Sequence, residues 1–186
     1  MLIVVIIIVA VVVLLALVAI GMYNGLIRSR NRVREAWAGI DVQLKRRSSL
    51  VPNLVETVKG YAAHERETLD SVTEARARLD RAGSAPEAAQ ANNMLTQTLR
   101  TLFAVAENYP DLKAQASFQQ LQEELSDLEA KIAYARQFYN QNVLEYNTKI
   151  ETFPQALFAR SMGFQPNEFF EAEAEAREDV RVSFSR

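Results

Sequence analysis

The sequence predicts an all-α protein, an N-terminal transmembrane helix followed by an antiparallel four-helix bundle. Three observations carry this. No charged residue occurs from Leu2 to Met22, and sixteen of the positions Leu2–Ile20 are Leu, Ile or Val. Beyond that stretch, apolar residues recur in alternating steps of three and four, the spacing of helices with one buried face. The 186 residues include only six Gly and five Pro, and the five Pro with Gly83 and Gly163 fall at the ends of the periodic segments or beyond them, as short connections between long helices require. The expected organisation is a span over 1–22, a bundle over 23–152, and an aromatic capping or interfacial segment with an acidic tail over 153–186.

At a rise of about 1.5 Å per residue, the apolar stretch spans roughly 30 Å, the thickness of a bilayer's hydrocarbon core. Summed over its Leu, Ile and Val residues, insertion is favoured by on the order of 5–9 kcal/mol. A cleaved signal peptide is the competing explanation. It would carry a basic region before an apolar run of about 7–15 residues; here only Met1 precedes the run, and the run is longer. Arg28, Arg30, Arg32 and Arg34 form a basic collar after the span, with Lys45, Arg46 and Arg47 behind them and only Glu35 and Asp41 opposing. Short-range Lys/Arg excess sets orientation, so the domain is expected in the cytoplasm with the N-terminus outside. Arg28 and Arg32 share a helix face that can reach anionic head groups, which makes membrane lipid an expected partner.

The first bundle helix runs to about Arg47 on Leu26, Arg30, Val33, Trp37, Ile40 and Leu44, with Trp37 expected in the core. Ser48-Ser49-Leu50-Val51-Pro52-Asn53 follows. Proline is accepted in a helix's first turn and costs about 3 kcal/mol in its interior. A chain reversal is therefore expected here, with one long helix kinked at Pro52 as the alternative. The second helix runs from Val51 to about Ala82 on Val51, Val55, Val58, Ala62, Leu69, Val72 and Leu79, with His64 off the stripe as a surface residue. Gly83 ends it, and Ser84-Ala85-Pro86-Glu87 is a capping box for the third helix. That helix carries Ala88, Ala91, Leu95, Leu99, Leu102, Val105 and Tyr109, and stops at Asn108-Tyr109-Pro110-Asp111. A second box, Ser117-Phe118-Gln119-Gln120, opens the fourth. Its heptads are the most regular in the chain: Phe118, Leu121, Leu125, Leu128, Ile132, Ala135, Tyr139, Val143, Tyr146 and Ile150. Packing within the chain is the expected use of this stripe, and a homo-oligomer through it stays open.

Alternating helices return the end of the fourth to the start of the first. Tyr139, Asn140, Tyr146 and Asn147 are then expected near Tyr23, Asn24 and Asn31 at the base of the bundle. They would form either a hydrogen-bonded network that fixes register or a ligand-binding patch. After Phe153-Pro154 the periodicity is lost. Phe153, Phe158, Phe164, Phe169 and Phe170, with Leu157 and Met162, form a segment too short to span. It is expected either to cap the open end of the bundle or to lie in the membrane interface. The tail Glu171–Glu178 is acidic, and Val180–Phe184 alternates like a short docking strand.

The chain has no Cys and one His, which excludes disulfides, thiol catalysis and zinc–thiolate sites. It has no glycine-rich phosphate loop, no G-x-S-x-G and no H-E-x-x-H. The carboxylates of Glu123-Glu124 and Asp127-Glu129 lie on a solvated helix face. Net charge is −2, with no basic stripe interleaved with aromatics, so no nucleic acid is expected. No catalytic residue, cofactor or metal site follows from the sequence. The expected role is a non-enzymatic, membrane-anchored scaffold or adaptor; the alternative is a self-assembling protein that organises or remodels membrane.

Several blocks together resemble the LemA family: Tyr23-Asn24, Arg30-Asn31-Arg32-Val33, Glu35-Ala36-Trp37, Ile40 to Arg47, Leu50 to Ala62, Leu102 to Ala114, Ile132 to Asn140, Tyr146-Asn147 and Phe153-Pro154. Val51, Ser49 and Gln141 depart from the family's commoner residues. The resemblance implies a bacterial single-pass protein of the cell (inner) membrane with an outside N-terminus and a helical-bundle domain, and no agreed biochemical function. Magnetosome membrane proteins share the family. Gene neighbourhoods in the family point to TPM-domain proteins or membrane metallopeptidases as partners.

Overall fold

The computed structural model describes residues 1–170. The acidic tail and the Val180–Phe184 stretch lie outside the described residues. Among the described residues all regular structure is helical: α1 (Leu2–Lys59), α2 (Arg66–Arg81), α3 (Ala85–Ala106), the short α4 (Pro110–Lys113) and α5 (Ala116–Glu151), followed by a 3-10 turn at Gln155–Leu157. The chain divides into two compact units. One joins Met1–Ala38 to Gln137–Asn167; the other joins Gly39–Arg136 to the described residues 168–170.

The chain reversal expected at Ser48–Pro52 does not occur. Helix α1 runs through Pro52 and ends at Lys59, and the chain turns at residues 60–65. The physical reason is visible in the buried face of α1. Leu26, Ser29, Val33, Ala36, Ile40, Leu44, Arg47, Val51, Leu54 and Val58 are all buried in unbroken steps of three and four. The stripe stays in register across the proline, so ending the helix at Ser48 would forfeit the burial of Val51, Leu54 and Val58. Pro52 has no N–H to give the Ser48 carbonyl. That carbonyl instead accepts from Arg76 Nε of α2 at 3.0 Å.

The second unit is a four-helix bundle. Its core contains Ile40, Leu44, Val51, Leu54 and Val58 of α1, Leu69, Val72, Ala75 and Leu79 of α2, Leu95, Leu99 and Leu102 of α3, and Phe118, Leu125, Leu128 and Ile132 of α5. Helix α2 runs antiparallel to α1: Ser48 Oγ donates to Asp80 Oδ1 at 2.5 Å, while Lys59 and Arg66 flank the turn between the helices. Helix α3 opens as the sequence predicts. Ser84 Oγ accepts from the Glu87 N–H, and the Glu87 carboxylate reaches back to the Gly83 N–H at 2.8 Å. Buried Ala88, Ala89 and Ala91 line its early turns. Between α3 and α5, Arg100 and Glu129 lie 3.8 Å apart, and the Phe103 and Phe118 rings meet edge-on at 6.0 Å. Helix α5 starts at Ala116, ahead of the box expected at Ser117, with the Phe118 and Gln119 N–H groups on the Gln115 carbonyl.

One polar cluster inside this unit escaped the sequence reading. Arg47, grouped there with the basic residues behind the collar, is only 2% exposed. Its Nη1 donates to Asn92 Oδ1 of α3 at 2.8 Å, while its Nε is buried without a hydrogen-bond partner. Burial lowers the pKa of this guanidinium; the Glu129 carboxylate opposes that shift and the Arg100 charge adds to it.

Candidate membrane-proximal site

The first unit is built on two antiparallel helix segments. Lys149 Nζ of α5 donates to Ser29 Oγ of α1 at 2.6 Å, and the Tyr139 ring packs on Trp37 at 5.7 Å. Moving ten residues down α5 therefore moves eight residues up α1, the signature of antiparallel neighbours in register. Buried Leu26 and Val33 face this seam from α1, and Tyr139, Val143, Tyr146 and Ile150 from α5. Residues 2–20 lack such cover. Their apolar side chains are exposed along the whole stretch, and α1 is long and apolar enough there to cross a membrane.

Past α5 the chain folds back on the pair. Gly163, at φ +79°, supplies a left-handed residue that other residue types rarely adopt. The turn it makes lets the Phe164 N–H donate to the Ala159 carbonyl at 3.0 Å. Phe164 is buried. Its ring meets Tyr23 edge-on at 5.7 Å and lies under the Arg30 guanidinium, 5.2 Å from Cζ to the ring centroid. Asn147 then holds the strap as a peptide would: its Nδ2 donates to the Asn167 carbonyl and its Oδ1 accepts from the Asn167 N–H, each at 2.9 Å.

The members of the expected groups differ in burial. Of the collar, Arg28, Arg32 and Arg34 are exposed, whereas Arg30 is half-buried over Phe164. Of the Tyr/Asn group, Tyr139 and Tyr146 are buried, Asn140 and Asn147 are half-buried, and Tyr23, Asn24 and Asn31 are exposed. Burial raises the Tyr146 pKa, opposed by the Arg30 charge, the Gln165 backbone amide and the Arg34 charge. Of the aromatic segment, Phe164 and Phe170 are buried, the latter in the second unit. Phe158 is half-buried, and Phe153 and Phe169 are exposed. Ser29, Lys149 and Asn167 were not singled out from sequence. Only Gly163, a lone glycine amid aromatics, carried a local signal there.

These features define a class: an all-helical protein with an apolar N-terminal helix of membrane-spanning length, followed by an arginine-bearing helix pair and a four-helix bundle. Comparison with known proteins narrows it. The LemA family profile matches residues 36–184, and the chain belongs to that family. It is 28% identical to Protein LemA of Metamycoplasma hominis, over 89% of this chain and 76% of that protein. It is 22% identical to magnetosome protein MamQ of Magnetospirillum gryphiswaldense and 23% identical to magnetosome protein MamQ 2 of Paramagnetospirillum magneticum, in each case over 80% of this chain and 64% of the relative. The chain thus spans just under two thirds of the length of these magnetosome proteins.

Proposed function

We propose that this protein is a non-enzymatic, membrane-anchored scaffold or adaptor, with its N-terminus outside and its bundle in the cytoplasm of a bacterial cell. The observation that carries this reading is the unburied apolar surface of residues 2–20, continuous with a helix whose next charged residues are Arg28, Arg30, Arg32 and Arg34. An apolar surface of that size is explained by lipid around it, and the arginines after it favour the cytoplasmic side. In the second unit several polar groups are used on the protein itself: buried Arg47 on Asn92, buried Ser48 on Asp80, and part-buried Arg76 on a carbonyl left open by proline. That use supports a structural body that presents surface to partners.

The likeness to magnetosome proteins favours a second reading, a self-assembling organiser of membrane. Light scattering on the full chain in detergent separates the two. The mass of one protomer supports the adaptor, and a mass of several protomers supports self-assembly. A chain that leaves the membrane fraction on alkaline carbonate extraction contradicts both.

A further inference from the structure

Three side chains on the turn after α5 face outward although they are large and apolar: Phe153 at 76% exposure, Leu157 at 74% and Met162 at 44%. Scattered exposed residues of this kind are ordinary on soluble surfaces. These three fall within ten residues, on a segment whose other side is anchored by buried Ala159 and Phe164. The turn is braced by backbone bonds, Ala159 N–H to the Gln155 carbonyl at 2.9 Å and Gly163 N–H to the Arg160 carbonyl at 3.1 Å. Its outward face is therefore set by the fold.

The place of this face along α1 decides what covers it. Ser29 marks the level of Lys149. Met22, the end of the apolar stretch before Tyr23-Asn24, lies about 10 Å further along the helix axis, and α5 continues only about 3 Å beyond Lys149 before it ends at Glu151. The turn occupies the remaining interval of about 7 Å, and the contact of Phe164 with Tyr23 brings it down to the edge of the apolar stretch. The head-group layer on each side of a bilayer is about 5–8 Å thick. No acidic residue occurs from Thr152 to Asn167, and the segment carries Arg160, which is exposed.

From this juxtaposition we infer that the turn Phe153–Met162 is a second membrane contact. Phe153, Leu157 and Met162 enter the interfacial layer of the leaflet where the span emerges, and Arg160 meets anionic head groups. The inference rests on the membrane-anchored reading of residues 2–22. The contact would hold the arginine-bearing helix pair against one leaflet, giving the anchor two points of attachment.

The test uses the full chain, which has no native cysteine, reconstituted in vesicles of mixed zwitterionic and anionic phospholipid. An environment-sensitive fluorophore is placed through Leu157→Cys, with Val12→Cys as a reference in the span and Thr101→Cys as a reference on α3. The expected result is quenching at 157 by lipids spin-labelled near the head group, quenching at 12 by lipids labelled deep in the acyl chain, and neither at 101. Quenching at 12 with a water-exposed, iodide-quenched probe at 157 overturns this inference and leaves the anchor standing. Absence of lipid quenching at 12 overturns the anchor itself. A probe at 157 shielded from iodide, unquenched by lipid and sensitive to protein density places a second copy on the turn and likewise overturns the inference.

Discussion

Removing Arg76 should destabilise the protein chiefly because of a proline on another helix. Pro52 gives no N–H to Ser48, four residues back, and Arg76 Nε takes that place at 3.0 Å from the carbonyl and 3.2 Å from Ser48 Oγ. Its Nη2 also lies 3.5 Å from Asp80. A hydrogen bond from a charged donor contributes about 1.5–3 kcal/mol net. The Arg76 side chain is 36% exposed, which points to the lower end. Arg76→Met keeps most of the aliphatic stem and removes the donor, so a loss of about 1.5 kcal/mol is expected. In a Pro52→Ala background the backbone N–H restored at position 52 serves the Ser48 carbonyl, and the same Arg76→Met substitution should cost about 0.5 kcal/mol. The coupling is then about 1 kcal/mol. For a chain of this size 1 kcal/mol shifts Tm by about 2–4 °C. Arg76→Met should therefore lower Tm by about 3–6 °C in the native background and by about 1–2 °C in the Pro52→Ala background. Thermal unfolding of the four full-length variants, followed by far-ultraviolet circular dichroism in one detergent, measures this cycle. Equal shifts in both backgrounds would refute the assignment of Arg76 to the proline's missing bond.

Other outcomes follow from single residues. Gly163→Ala should cost about 1–2 kcal/mol from the left-handed backbone alone, since a methyl group there meets no atom within 4 Å; a Tm shift near zero would count against it. Asn92→Leu removes the acceptor from the buried Arg47 guanidinium and should cost about 2–3 kcal/mol in denaturant unfolding, whereas Arg47→Met with Asn92→Leu together should recover most of that loss. Tyr146 carries a raised pKa from burial, so the stability from keeping its phenol neutral is full below the ordinary tyrosine value of about 10 and is lost as pH rises through the folded value. Tyr146→Phe should flatten the alkaline decline in stability; an unchanged slope above about pH 10 would exclude that role.

Much of this fold was legible because helical spacing is a property of neighbours. The stripe from Phe118 to Ile150 and the Ser84–Glu87 box depend on residues within a turn or two; the box is found where the sequence predicts it, and the stripe is buried except for half-buried Leu121 and Ala135. Pro52 misled because its local penalty is real. What offsets it is a guanidinium 24 positions away and a stripe that continues to Val58, and no local window contains both. Arg47 looked like one more surface cation, since a run of basic residues does not show that one of them turns inward to Asn92. The aromatic segment was visible as composition only. Which rings point in depends on Gly163 and on the tie between Asn147 and Asn167, and irregular backbone carries no period from which to read a face.

The orientation of the anchor is the most direct test of the proposed role. Thr101, exposed on α3, is replaced by Cys, and intact cells are treated with a membrane-impermeant maleimide. The expected result is a chain recovered in the membrane fraction and unlabelled until lysis. Labelling of the same membrane-bound chain in intact cells would contradict the cytoplasmic placement drawn from Arg28–Arg34 and move the search for partners to the outer face of the membrane.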